Sequence, residues 1–141
     1  MKRRDFLHQS CFACLAAGAG ISLLGLESCA STKVFSAAPE NGQLKVNISQ
    51  FEPESNALIV RTKALEHDIL ILKTGEKYRA IYLQCSHQNN PVNYTGSKIV
   101  CNAHGSQFDL EGIVKVGPAD KHLKKIKIEK ENTLLTLSIN E

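Results

Sequence analysis

Ile69-Leu70-Ile71-Leu72-Lys73-Thr74-Gly75-Glu76-Lys77-Tyr78-Arg79-Ala80-Ile81-Tyr82-Leu83 decides the fold class. Residues 69–72 are a short apolar run. Residues 78–83 alternate with a period close to two, the spacing that sends successive side chains to opposite faces of a sheet. Lys73–Lys77 carries Gly75 between them, so the stretch reads as two strands joined by a hairpin. The pattern continues in both directions. Leu44-Lys45-Val46-Asn47-Ile48 and Ala57-Leu58-Ile59-Val60 lie upstream. Ile113-Val114-Lys115-Val116, Ile126-Lys127-Ile128 and Leu134-Leu135-Thr136-Leu137-Ser138-Ile139 lie downstream, with a turn at Glu131-Asn132. Each segment is short and bounded by Gly, Pro, Asn, Asp or Lys-Glu. No helical stripe of useful length follows residue 43. The expected architecture is all-β, one small antiparallel β-sandwich or barrel.

The chain has 141 residues, 43% hydrophobic and 22% charged, which suits one folded domain and excludes a disordered chain. Aromatics are 6% and Trp is absent, so the core falls to Ile, Leu and Val. A formal charge of +3 is too small to argue for a nucleic-acid partner. No clean apolar run reaches the ~20 residues of a membrane span, which excludes a multi-pass membrane protein. Five Cys, an odd number, exclude complete pairing within the chain. Lys121, Lys124, Lys125 and Lys127 read as a solvated strand face or a charged edge.

Residues 1–28 read as an export signal. Lys2-Arg3-Arg4 gives a basic start, and Cys11–Leu26 is an apolar, Gly/Ala-rich stretch too short for a stable span. Arg3-Arg4-x-Phe6-Leu7 resembles the bacterial twin-arginine signal, a route that carries proteins already folded. Leu26-Glu27-Ser28-Cys29 resembles a lipoprotein cleavage box, which would leave Cys29 to carry lipid on a membrane surface. An uncleaved signal acting as a single anchor is the alternative. Both place the protein on the periplasmic side of a bacterial membrane. Residues 29–43 have little periodicity and read as a linker, and 44–141 as the domain. Cys11 and Cys14 lie inside the apolar stretch and read as small apolar residues.

Two segments interrupt the strands. Cys85-Ser86-His87 and Cys101-Asn102-Ala103-His104-Gly105-Ser106 each offer one thiol and one imidazole. Each follows an apolar strand-like segment, Ile81–Leu83 and Ile99–Val100, which places the pairs on adjacent loops at one end of a sheet. Thiolate and imidazole suit zinc as well as iron–sulfur chemistry. Zinc would make the domain a stapled binding module. A Cys85–Cys101 disulfide is a third reading, and it leaves the paired His unexplained. His8, His67 and His122 have no partner motif and read as surface or structural residues.

The two segments resemble the cluster-binding boxes of the Rieske iron–sulfur family. His104-Gly105-Ser106-x-Phe108-Asp109 is a close match. Gly112-x-Val114-x-x-Gly117-Pro118-Ala119 resembles the proline-loop region of Rieske proteins in quinol–cytochrome complexes. The resemblance covers residues 80–123. It implies a β-domain with a cluster-binding subdomain of two loops and one [2Fe–2S] cluster. It implies that Cys85 and Cys101 bind one iron and His87 and His104 the other, with Ser106 donating a hydrogen bond to a bridging sulfide. Two ferric ions, two sulfides and two thiolates are formally neutral, whereas a four-thiolate centre is doubly negative. An electron is therefore added more easily, at about −150 to +300 mV rather than about −400 mV. The incoming negative charge favours protonation of the imidazoles, so an electron and a proton can leave a quinol together.

The chain departs from the quinol-complex branch at several positions. Phe108 stands where a Tyr hydroxyl usually reaches a cysteine sulfur. Asn90 and Ala103 occupy the places of two further Cys that staple the loops, and Gln88 replaces an apolar shielding residue. These departures predict a potential below that of quinol-complex members. No mononuclear iron triad, flavin site or nucleotide loop is visible, so an electron-transfer protein or subunit is expected rather than a complete enzyme. The expected function is one-electron transfer, as a membrane-associated carrier or the quinol-oxidising subunit of a cytochrome bc-like complex. Its partner would be a cytochrome or a larger oxidoreductase subunit. The alternative is the small electron-transfer subunit of a periplasmic molybdenum oxidoreductase or oxygenase.

Overall fold

The computed structural model describes residues 32–140. In chain order these form β1 (Val34–Ser36), β2 (Gln43–Asn47), a short 3-10 helix (Ile48–Gln50), β3 (Ala57–Arg61), β4 (Ile69–Thr74) and β5 (Lys77–Tyr82). There follow β6 (Asn93–Tyr94), β7 (Ile99–Val100), β8 (Gln107–Phe108), β9 (Val114–Val116), β10 (Lys125–Glu131) and β11 (Leu134–Ser138). Seven strands make one sheet in the order β1-β3-β4-β5-β10-β11-β2, and four make a smaller sheet, β6-β7-β8-β9. No helix among the described residues is long and apolar enough to cross a membrane.

β4 explains the layout. Ile69, Leu70, Ile71 and Leu72 are all buried, which is why this run lacks the alternate polar positions of a half-exposed strand. Ile69 and Ile71 point with Leu58, Val60, Ala80 and Tyr82 into a core completed by Leu44, Val46, Ile126, Leu135 and Leu137. The large sheet thus curls so that its two halves pack across these side chains. Leu70 and Leu72 point the other way. With Ala57, Ile81 and Leu83 they meet Val92, Ile99, Phe108, Ala119 and Leu123 of the small sheet and its loops. β2 has a single inner face. It buries Leu44 and Val46 and exposes Gln43, Lys45 and Asn47.

The expected hairpins form. β4 and β5 close between Thr74 and Lys77, with Gly75 at φ +60° in the first central position of a two-residue loop. β10 and β11 close between Glu131 and Leu134 around Asn132 at φ +54°.

Two details differ from the sequence reading. Val34–Ser36, inside the stretch read as linker, forms β1 and pairs parallel to β3, so the large sheet is mixed rather than purely antiparallel. A three-residue strand with one inward side chain, Phe35, carries no readable period. The cluster-side subdomain is a small sheet rather than two loops alone, and its β6, β7 and β8 are only two residues each. Lys125 and Lys127 flank buried Ile126 on the solvated face of β10, one of the two readings of the lysine run; β10 lies between β5 and β11, so the other, a charged edge, does not apply. The export signal and Cys29 lie outside the described residues.

Candidate metal centre

The first loop, residues 85–90, leaves the end of β5 and is closed at its base by a bridge between Gln84 and Pro91. The second, residues 101–106, joins β7 to β8. The pairs therefore sit on the link between the two sheets and on a hairpin of the small one, not at one end of a single sheet. Both loops close the same backbone ring. The Cys85 N–H donates to the Asn90 carbonyl (2.7 Å), and the Asn89 N–H returns to the Cys85 carbonyl (2.9 Å). The Cys101 N–H donates to the Ser106 carbonyl (2.8 Å), and the Gly105 N–H returns to the Cys101 carbonyl (2.9 Å). The fifth residue of each ring is left-handed, Asn89 at φ +56° and Gly105 at φ +79°. Gly and Asn are the residues that adopt this region at least cost.

The four predicted residues differ in burial. Cys85 and Cys101 are free thiols, 1% and 0% exposed, in the core between the sheets. His87 is half-buried and His104 exposed. Their ring centroids lie 5.0 Å apart at an interplanar angle of 89°. His87 Nδ1 is buried without a hydrogen-bond partner. A buried ring nitrogen left unpaired costs about 1–3 kcal/mol, and a metal ion accepting its lone pair removes that cost. Two free buried thiols, each on a loop that also carries one of two adjoining imidazoles, fit a Rieske centre, in which one iron takes sulfur ligands and the other nitrogen.

Ser106 is fully buried, and its Oγ accepts the Ala119 N–H at 3.0 Å. As an acceptor there, it keeps its own proton for another partner. Ala119 belongs to a third loop, residues 117–123, which opens with a cis Gly117–Pro118 bond. The Ser86 hydroxyl donates to the Lys121 carbonyl of the same loop at 2.5 Å. Behind the second loop, Asp109 Oδ1 accepts the N–H groups of Glu111 and Ile113, both at 2.9 Å, and Oδ2 pairs with Lys115 at 3.1 Å. Burial pulls the Asp109 carboxyl up, but the Ile113 and Glu111 N–H groups and the Lys115 ammonium outweigh it and hold it below the usual aspartate range. His67 packs against Tyr82 with its Nε2 buried and unpartnered, and His122 Nδ1 accepts the Val114 N–H at 3.3 Å.

Residues 44–127 match the family described as Rieske [2Fe-2S] domain. The chain belongs to that family, its cofactor is a Rieske-type [2Fe–2S] cluster, and its chemistry is electron transfer through that cluster. The zinc and disulfide readings fall away, the latter also because both thiols are free. Among solved structures the chain is similar to the cyanobacterial plasma membrane Rieske protein PetC3 from Synechocystis PCC 6803. Identity is 22% over 68% of this chain and 85% of that chain, with a TM-score of 0.46. It is also similar to the ferredoxin of carbazole 1,9a-dioxygenase from Nocardioides aromaticivorans IC177, at 18% identity over 66% and 92% and a TM-score of 0.48. A chain from the complex of reduced oxygenase and oxidized ferredoxin in carbazole 1,9a-dioxygenase gives 19% identity over 70% and 94%, with a TM-score of 0.53, and shares the fold. No curated protein matches the sequence.

Sequence reasoning named the Cys and His pairs and Ser106 but assigned nothing to Ser86. Its partner, the Lys121 carbonyl, lies 35 residues away, and only the fold brings the two together. The Asp109 turn was visible only as part of the box motif. Asp two and four residues before backbone donors was the local signal for it.

Proposed function

We propose that Cys85 and Cys101 hold one iron of the cluster and His87 and His104 the other, in a membrane-associated one-electron carrier on the periplasmic side of a bacterial membrane. The observation that carries the ligand assignment is the pair of buried free thiols on the same two loops that bring two imidazoles together, one with a buried unpartnered nitrogen. The membrane association rests on the twin-arginine signal and on Cys29 as a lipid acceptor or the signal as an anchor.

When bound, the cluster accepts and returns one electron. The protein supplies the setting. The apolar surroundings of Cys85 and Cys101 keep water from the sulfur side, while exposed His104 offers the short path to a partner. Ser106, held by the Ala119 N–H, keeps a proton to donate toward sulfur, which raises the potential. Phe108 is fully buried in the same core and brings no hydroxyl. Ser106 and the proline-containing third loop favour the quinol-oxidising subunit of a cytochrome bc-like complex. Asn90, Ala103 and Phe108 favour the small subunit of a periplasmic molybdenum oxidoreductase or oxygenase.

The test is potentiometric titration followed by EPR on protein from an iron-replete host. The expected result is a brown protein with two irons per chain and a potential inside the range of about −150 to +300 mV but short of its top. Colourless protein with stoichiometric zinc overturns the assignment.

A further inference from the structure

Ser86 stands between the proposed ligands Cys85 and His87, and its hydroxyl donates to the Lys121 carbonyl at 2.5 Å. From the second ligand loop, Ser106 Oγ accepts the Ala119 N–H at 3.0 Å. One serine from each ligand loop therefore grips the third loop, at points two residues apart. The root of that loop is fixed by the Leu123 N–H to the Gly112 carbonyl at 2.8 Å and by the Val114 N–H to His122 Nδ1 at 3.3 Å. Ala119 and Leu123 are buried in the same core as Cys85 and Cys101, so this loop forms part of the wall around the thiols. Cys85 and Cys101 are free, and Asn90 and Ala103 offer no sulfur, so no covalent link joins the two ligand loops.

We propose that Ser86 is a positioning residue of the centre: it ties the first ligand loop to the third loop and, with Ser106, holds the cover over the cluster without a disulfide. This rests on the ligand assignment above. The two ties are not equal. Ser106 is buried, and its bond is sealed from water, whereas the Ser86 bond is exposed. Water competes for the Ser86 bond, so that side is the one that opens. Losing the Ser86 hydroxyl frees the stretch around Lys121 while Ala119 stays pinned.

The test compares the full-length iron-loaded protein with Ser86→Ala and Ser86→Thr. The readouts are amide deuterium exchange across residues 119–123 and the rate at which EDTA bleaches the visible absorbance. Ser86→Ala is expected to keep its iron content yet show both rates raised about 2- to 10-fold, the worth of one hydrogen bond. Ser86→Thr, which restores the hydroxyl, returns both toward wild type. Unchanged rates in Ser86→Ala, or no rescue by Thr, overturn the proposal. If Ser86→Ala takes up no iron, exchange on the metal-free forms of all three chains decides: faster exchange in the Ala variant alone supports the tie, and equal exchange refutes it. A colourless wild type would instead defeat the ligand assignment, and the same metal-free exchange would still judge the serine.

Discussion

Loops 85–90 and 101–106 set Cys at the same position of the same hydrogen-bonded ring, yet the rings are held differently. The first places His two residues after Cys, uses Asn89 at the left-handed position and reaches outward through Ser86. The second places His three residues after Cys, uses Gly105 there and turns Ser106 inward, fully buried. Behind the second loop stands the Asp109 turn, with its two N–H donors and Lys115. The contrast teaches that the backbone ring holding each proposed Cys ligand is repeated, while the His spacing and the support around it are not.

The largest effect tests the repeat itself. Cys85→Ala and His104→Ala, one from each loop, are each expected to abolish the reduced-state EPR signal. A signal surviving in either would show that the loops do not share the centre. Next comes Ser106→Ala, which leaves the buried Ala119 N–H without its acceptor. It is expected to lower stability by about 2 kcal/mol in urea titration and to lower the potential, whereas Ser86→Ala should cost less because water replaces its bond. Equal losses would erase the inward–outward distinction.

Asp109 sharpens the comparison through pH. Its folded-state carboxyl lies below its ordinary value, so its contribution is fully present above that value and is lost as pH falls through the folded one. Acid unfolding followed by circular dichroism should therefore lose a component below about pH 4. Asp109→Asn should lack that component and be destabilised by about 1–2 kcal/mol at neutral pH. An unchanged acid profile would remove the carboxylate as a support of the second loop. The smallest effects lie at the left-handed positions. A Cβ on Gly105 would meet no atom within 4 Å beyond its two chain neighbours, so Gly105→Ala pays chiefly backbone strain, about 1 kcal/mol. Asn89→Gly should change stability by only a few tenths of a kcal/mol, because both residues accept the conformation. Thermal melts that reversed this order would contradict the matching of the rings.

Much of this was legible because the chemistry is local. Cys and His sit within three residues of one another in each box, and the β4–β5 and β10–β11 hairpins carry their own Gly and Asn turns. Double burial of β4 was written in its unbroken Ile-Leu-Ile-Leu run. What could not be read depends on pairs distant in the chain or on elements too short to show a period. The two-residue strands of the small sheet have no alternation to detect. β1 offers one inward Phe35 and gains its partner from β3 across more than twenty residues. The serine ties to the third loop appear only once residues 86 and 121, or 106 and 119, have been folded together.

β4 also governs how the molecule comes apart. Its odd residues belong to one core and its even residues to the other, so neither half can melt without stripping cover from the same strand. Disassembly should be a single cooperative event, and fading of the brown colour on heating should trace the loss of the whole body.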